Sequence, residues 1–263
     1  MALMPSQVAE FAKYLDLALL ENREVERITK DAPDLGLPDA YRIQDEGIRL
    51  RERRGDIQIG LKMGLTSQAK RDQMGLTDAI YGVLTKTMQI HDGDTIQLKG
   101  KIHPKIEPEV AFLIGKEIRG TVSFDEALDA CSGVCAAAEI LDSRFLNFKY
   151  FSLPDVVADN ASSREFVLSK KVLDPKKVDF GDVEIRMEVN GKLAQSASSK
   201  EISGHPLNSL VQLCKLLDDR GLYVPKGSIV LAGAATVAVP LEPGMKVHVS
   251  VAGLGDLNVD VSK

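Results

Sequence analysis

At 263 residues, with 44% apolar and 27% charged side chains, the chain is long enough to bury a large core without disulfide or metal staples. A net charge of −5 removes the electrostatic case for nucleic acid, and no run of about 18 apolar residues offers a membrane span. Three cysteines and an N-terminus unlike a secretion signal point to a reducing compartment, so the cytoplasm is expected.

Ser6 opens an amphipathic helix that runs to the neighbourhood of Leu20, and "PDAYRIQDEGIRLRERRG" reads as a second helix, closed by Gly55. The arginines of its last turns, in the segment Arg49–Gly55, read as a solvated helix end. Between the helices lies the turn-rich loop "DAPDLGLPDA". After "GDIQIGLKMGLTS" the texture changes to short apolar strands: "HDGDTIQL", "EVAFLIG", "VEIRMEVNGKLAQ", "GSIVLAG" and "MKVHVSVAGLGDLNVDV". Asn190–Gly191 sits between alternating segments and predicts a hairpin turn. Two helices interrupt the strands. "SFDEALDACSGVCAAAE" starts with Ser123 and Glu126 at capping-box spacing, and "HPLNSLVQLCKLLDDRG" starts with Pro206 and stops at Gly221. Cys131 and Cys135, four apart in the first pattern, and Cys214 in the second read as small apolar core residues, because no further Cys or His lies at ligand spacing. With no linker or repeat, residues 1–263 are expected to form one unit, a helical region 1–57 packed on a mixed-β body 58–263.

The chemistry concentrates in "HPKIEPEVAFLI", residues 103–114. In a strand, positions two apart share a face, so Glu107 and Glu109 point the same way, with Pro108 confined to an edge, a strand start or a bulge. Two carboxylates on one face repel unless protonated, solvated or bridged, and a hard divalent cation is the natural bridge. A third acid, Glu139, follows the expected apolar helix "CAAAE" and leads into the buried-looking "ILDSR". Three carboxylates would leave open positions on Mg²⁺ or Mn²⁺ for water and a chelating substrate. The alternative is an exposed edge strand with solvated acids.

Lys62 lies between Gly60 and Gly64 in the apolar "IGLKMGLTS", where a partly buried lysine needs an anion unless it snorkels to solvent. The pattern is neither a phosphate-binding loop nor a dinucleotide fingerprint. "VVADNASS" (156–163) is a polar turn cluster after an apolar entry. The Gly- and Ala-rich "LAGAATVAVPLEPG" (231–244), which holds Thr236, would bring backbone N–H groups to a substrate carboxylate or form a tight buried turn. His205 in "GHPLN" is either an acid/base group or part of a helix cap, and "SRFLNFKYFSLPD" (143–155) is a candidate lid.

Taken in order, "GLKMGLTS", "IYG", "HPKIEPEVAF", "AAEILDSR", "VVADNASS", "GHPLNS" and "GSIVLAGAATVAVPLEPG" resemble the 4-oxalocrotonate decarboxylases and their sister 2-hydroxypentadienoate hydratases, within the fumarylacetoacetate hydrolase superfamily. The resemblance implies an α+β fold, a mixed β-roll with a small helical N-terminal region, and a metal-dependent lyase in the meta-cleavage of aromatic compounds. It places the Mg²⁺ (or Mn²⁺) acids on Glu107, Glu109 and Glu139 and the active-site lysine on Lys62. Asp78 falls where the hydratases carry a polar pocket residue, although the local spacing differs, and Ser162 and Thr236 match pocket-lining stretches. The His–Glu pair of the superfamily's carbon–carbon hydrolases has no counterpart. "GAATVAVP" and "ILDSRFLNFK" resemble the decarboxylase branch, whose substrate is the dicarboxylate (3E)-2-oxohex-3-enedioate; the hydratase and a non-catalytic scaffold are the alternatives. A homo-oligomer, in complex with the sister hydratase, is implied by the same likeness.

Overall fold

The computed structural model of the protein describes residues 2–67, 79–148 and 152–263. Two helices lead, α1 (Pro5–Glu21) and α2 (Leu37–Arg53), each with a proline in its first turn, where the missing N–H costs nothing. Val8, Ala12, Leu15 and Ala18 of α1 and Ala40, Ile43 and Ile48 of α2 form the buried stripes, spaced three to five apart as helical periodicity requires. Gln44 ties α2 to the rest of the molecule: its Nε2 donates to Tyr81 O at 3.1 Å and Val157 O at 3.0 Å.

The chain then lays down β1 (Gln58–Gly64), β2 (Ile80–Thr85), β3 (Gln89–His91), β4 (Thr95–Ile96) and β5 (Lys105–Ile114). After helix α3 (Phe124–Ala130) come β6 (Cys131–Leu141), helix α4 (Leu153–Ala158) and β7 (Ser163–Leu168). The hairpin β8 (Glu184–Val189) and β9 (Lys192–Ser198) precedes helix α5 (Pro206–Asp218). Strands β10 (Ile229–Ala234), β11 (Val239–Pro240), β12 (Lys246–Val251) and β13 (Gly255–Val261) follow. One mixed sheet has the order β2-β1-β10-β5-β6-β7-β3, with β11 added to the start of β5. It curls until Leu84 of β2 packs in the same cluster as Phe166 of β7, with Met88, Ala111, Cys135, Ala137 and Leu231 between them. A second sheet, β4-β13-β12-β8-β9, packs on the outer face through Ile106, Ala138, Ile140 and Val167 against Met187, Val249, Leu257 and Val259. This is the expected α+β architecture. The hairpin turn falls on Asn190 and Gly191, with φ of 53° and 73°, as a turn matching the twist of its strands demands.

One element departs from expectation. The apolar stretch after Ser123 is helical only to Ala130; the Ser123–Glu126 capping box is present, but Cys131–Leu141 is a strand. Glu139 therefore ends no helix. The strand lies between β5 and β7, and all but one of its residues are buried, so the alternation that marks a half-exposed strand is missing. Pairing on both edges outweighs the helix propensity of three alanines. The three cysteines are buried core residues, as expected. Among the described residues no helix is long and apolar enough to cross a membrane.

Candidate metal centre

The pairing of β5 with β6 sets Glu107 directly across from Glu139, and Glu109 across from Ala137. All three acids therefore face the concave interior of the sheet, where Ala111 and Ala137 continue the same rows. One oxygen from each of Glu107, Glu109 and Glu139 lies within 4.8 Å of the others. Glu109 and Glu139 are fully buried. Lys62 enters from β1, 3% exposed, with Nζ 3.1 Å from Glu139 Oε2.

Each buried acid is held by a donor. Gly233 N–H donates to Glu109 Oε2 at 2.7 Å, and Ser163 Oγ donates to Glu139 Oε1 at 2.6 Å. The opposite oxygens remain available: Glu109 Oε1 has no hydrogen-bond partner among the described residues, and Glu139 Oε2 has only its ion pair with Lys62. Burial, then the charges of Glu139 and Glu107, push the Glu109 carboxyl well above the usual carboxylate range, against the pull of Lys62 and the Gly233 N–H. Burial alone would discharge Lys62, but Glu139, Glu107 and Glu109 outweigh it and raise its pKa, so the ammonium stays charged. Three carboxylates against one ammonium leave two formal negative charges, the complement of one divalent cation. An oxygen-only donor set with a buried, unpartnered oxygen fits a hard cation such as Mg²⁺.

A strained turn builds the wall beside Glu139. Asn160, Ala161 and Ser162 all adopt left-handed backbone, with φ of 52°, 50° and 58°, which costs roughly 1–2 kcal/mol per non-glycine residue. Tertiary contacts impose it. The Asn160 side chain accepts from Val83 N–H at 2.8 Å and donates to Val83 O at 2.9 Å, while Asp142 N–H donates to Ser162 O at 2.8 Å. Arg144 clamps the entry, bonding through Nε to the Asp159 carboxylate and through Nη1 to Asp142 O. Gly82 on β2 makes room: a Cβ there would stand 2.8 Å from Asn160 O. The turn delivers Ser163 to Glu139 and leaves Ser162 Oγ buried, without a hydrogen-bond partner among the described residues.

The structure thus brings together Lys62, Glu107, Glu109 and Glu139, and sets Ser162 one residue from the serine that bonds Glu139. Thr236 is buried on the loop from β10, which pairs at Glu109, to β11, which pairs at Ile106; the loop runs beside Glu107. Asp78 lies outside the described residues. The backbone donor expected from the Gly-rich loop exists, but Gly233 spends it on Glu109. His205 is a cap: its Nδ1 accepts from Leu207 N–H at 3.1 Å. Of the candidate lid, residues 143–148 are pinned to the N-terminal region by Val25 N–H to Arg144 O at 2.8 Å and Leu146 N–H to Val25 O at 3.1 Å; residues 149–151 are not described. Sequence reasoning missed Ser163, Gly233 and Gly82. The first sat in the quoted polar cluster, the second in the quoted glycine loop and the third in the quoted "IYG", but nothing in the sequence ties Gly82 to Asn160, far along the chain.

Comparison with known proteins places the chain in a family. Residues 58–262 match the family model described as fumarylacetoacetate (FAA) hydrolase C-terminal. The chain belongs to that family. It is 40% identical to a 4-oxalocrotonate decarboxylase from a Pseudomonas species, over 96% of this chain and 97% of that one. It is 32% identical to a 2-hydroxyhexa-2,4-dienoate hydratase from Comamonas testosteroni, over 94% of each. A solved structure of 4-oxalocrotonate decarboxylase from Pseudomonas putida G7, complexed with magnesium and adipate, superposes with a TM-score of 0.96 at 35% identity, covering 99% of both chains. Family membership accounts for the folded body from β1 onward; α1 and α2 precede the matched span.

Proposed function

We propose that the protein is a Mg²⁺-dependent carboxy-lyase that converts (3E)-2-oxohex-3-enedioate to 2-hydroxypenta-2,4-dienoate and CO₂. The observation that carries this reading is the convergence of Glu107, Glu109 and Glu139 oxygens within 4.8 Å, opposite a charged Lys62. The relatives of like name, and the magnesium and adipate bound by the Pseudomonas putida G7 enzyme, support it.

Glu107, Glu109 and Glu139 would hold the cation, Mg²⁺ or Mn²⁺, which when bound supplies Lewis acidity to the oxygens of a 2-oxo acid. Gly233 and Ser163 fix the rotamers of two of these acids, so their free oxygens point into the site before the cation arrives. Lys62, being charged, donates hydrogen bonds and does not abstract a proton; it orients the acid end of the substrate and stabilises negative charge there. The substrate carries its own electron sink. Breaking the bond to the distal carboxylate releases CO₂, and that electron pair passes through the C3–C4 double bond to the C2 oxygen, which then takes a proton. Ser162 Oγ offers a further buried hydroxyl to the substrate, Thr236 lines the Glu107 side, and Asp78 completes the proposed pocket set. We take residues 1–263 as one catalytic unit, helical region 1–57 with body 58–263, because α1, α2 and the large sheet share one hydrophobic cluster.

The relative from Comamonas testosteroni favours a second reading, water addition to a 2-hydroxydienoate. A product assay with Mg²⁺ separates the two: CO₂ release from 2-oxohex-3-enedioate supports the decarboxylase, and hydration of 2-hydroxypentadienoate alone sinks it. Inert behaviour towards both, with Mg²⁺ bound, would leave the scaffold reading. The proposal extends to a cytoplasmic homo-oligomer that associates with a hydratase able to consume the unstable dienol. Light scattering of the protein alone and with such a hydratase tests both associations.

A further inference from the structure

A second charged cluster lies outside the curled sheet. A cleft of about 490 Å³ opens between the ends of α1 and α2, the turn at Thr87–Met88 and the start of β7. Five ionisable side chains line it: Arg51, Arg54, Asp56, Arg164 and Glu165. Two of them are neutralised by ion pairs. Arg54 makes a two-pronged bond to Asp16, with both contacts at 2.7 Å, and Glu165 Oε1 meets Lys101 Nζ at 2.8 Å. Asp56 is satisfied by neutral donors, Thr85 Oγ1 at 2.7 Å and Thr87 N–H at 2.8 Å.

Arg51 and Arg164 are left with donors and no acceptor to match. Among the described residues Arg51 makes one hydrogen bond, from Nη1 to the weak acceptor Met88 Sδ at 3.5 Å. Arg164 reaches Gly100 O through Nη2 at 3.0 Å, but its Nε is buried with no hydrogen-bond partner among the described residues. The register of β6 and β7 explains why Arg164 is there. Ile140 pairs with Glu165 and Leu141 with Ser163, so Arg164 is the extra residue of a bulge and leaves the row that carries Ser163 to Glu139. The nearest carboxylates, Asp56 beside Arg51 and Asp142 beside Arg164, are already held by other donors, so it is the hydrogen-bonding capacity of the two guanidiniums that is unmet. Glu165 Oε2 is likewise buried without a hydrogen-bond partner among the described residues. Burial, with Arg144 and Arg164 nearby and Asp56 opposing, pushes Arg51 down to about 10, so it is still charged at neutral pH.

We infer that this cleft is a binding site for one small oxyanion, a carboxylate or a phosphate, gripped by the guanidinium forks of Arg51 and Arg164. Arginine forks match the two oxygens of either group in a plane, and such charge-assisted pairs are the strongest hydrogen bonds available to a side chain.

Titration calorimetry of the full-length protein at constant ionic strength tests the inference, with inorganic phosphate in one arm and acetate in the other, against chloride. Because either anion also has affinity for a bound metal, the measurement is repeated on Glu109→Gln in chelator. Saturable binding of at least one anion, equal in wild type and Glu109→Gln, and weakened at least about tenfold by Arg51→Gln or Arg164→Gln, is the expected result. The arm that binds more tightly identifies the ligand chemistry. Binding that survives both arginine substitutions, that disappears in Glu109→Gln, or that is absent from wild type overturns the site. If a Gln variant fails to fold, Arg51→Lys keeps the charge and removes the fork, and the same weakening is expected of it.

Discussion

The two charged clusters are joined at adjacent residues, Ser163 touching the acids and Arg164 lining the basic cleft, yet they are built differently. The acidic cluster is sealed: Glu109 and Glu139 are fully buried, each is gripped by one donor, and Lys62 supplies an internal counter-charge. The basic cleft is part-buried, and its arginines lean on a thioether and a carbonyl. Like charges gathered on a fold without matching partners mark a place for something absent from the chain. How tightly the cluster is preorganised tells how demanding its chemistry is. Rigid carboxylates suit a cation that must act as a Lewis acid, whereas a loose arginine fork suits a ligand that has only to be held.

The sharpest break in that comparison is Glu109→Gln, expected to lower Mg²⁺-dependent turnover by about three orders of magnitude or more, while raising the stability of the metal-free protein. The sign follows from the raised pKa of Glu109 in the folded state. Its contribution is present below the unfolded carboxylate value and lost as pH rises through the folded one, so at neutral pH the charge opposes folding and its removal helps. Melting curves in chelator from acidic to neutral pH measure this; a variant less stable than wild type at neutral pH contradicts it. Next comes Gly233→Ala. Its φ is +98° and a Cβ would clash with the Thr66 side chain, so a loss of about 3 kcal/mol or more is expected in urea unfolding, with weaker metal binding as the Glu109 donor shifts. Unchanged unfolding would mean that the loop relaxes freely.

Ser163→Ala removes one donor and little volume. Loss of a hydrogen bond to a charged second partner is expected to weaken Mg²⁺ affinity by about 10- to 100-fold, read by calorimetry, without a comparable change in phosphate or acetate binding at the basic cleft. A loss shared equally by the two ligands would point to a fold defect and erase the distinction between the clusters. The smallest effect concerns the neutral core. Burial pushes the Cys131, Cys135 and Cys214 thiols up to about 12, so the native protein should react with a thiol reagent at pH 8 only as fast as it opens, and denaturant should release all three. Rapid labelling of any one would show an opening into the core.

Much of the candidate metal centre can be read from the chain because strand periodicity acts locally. Glu107 and Glu109 share a face for reasons contained in three residues, and Lys62 was suspicious because it interrupts apolar sequence. Glu139 is legible as an acid beside apolar sequence, but its element is not: a strand buried on both faces has no alternation to betray it, and its alanines favour the competing helix. The arginines ending α2 show the same limit. Arg49 and Arg53 do pair with Glu46 near solvent, as a solvated helix end should, whereas Arg54 pairs with Asp16 of α1 and Arg51 turns into the cleft. Which of four neighbouring arginines turns inward depends on segments later in the chain, Met88 and β7 among them. The stretches holding Gly82 and Gly233 stand out in the sequence, but the atoms that require each glycine, on Asn160 and Thr66, lie far away along the chain.

The left-handed turn at Asn160–Ser162 also bears on how the protein comes to be active. Nothing local favours three such residues in succession, and the bonds that enforce the turn reach Val83, 77 positions earlier in the chain. Contacts of that separation are made only after the intervening chain has collapsed, because closing so long a loop is entropically costly until other contacts share it. Ser163 can meet Glu139 in its final geometry only once the turn has set. The catalytic face should therefore mature late in folding, and a refolding chain should regain its secondary structure before it regains tight metal binding.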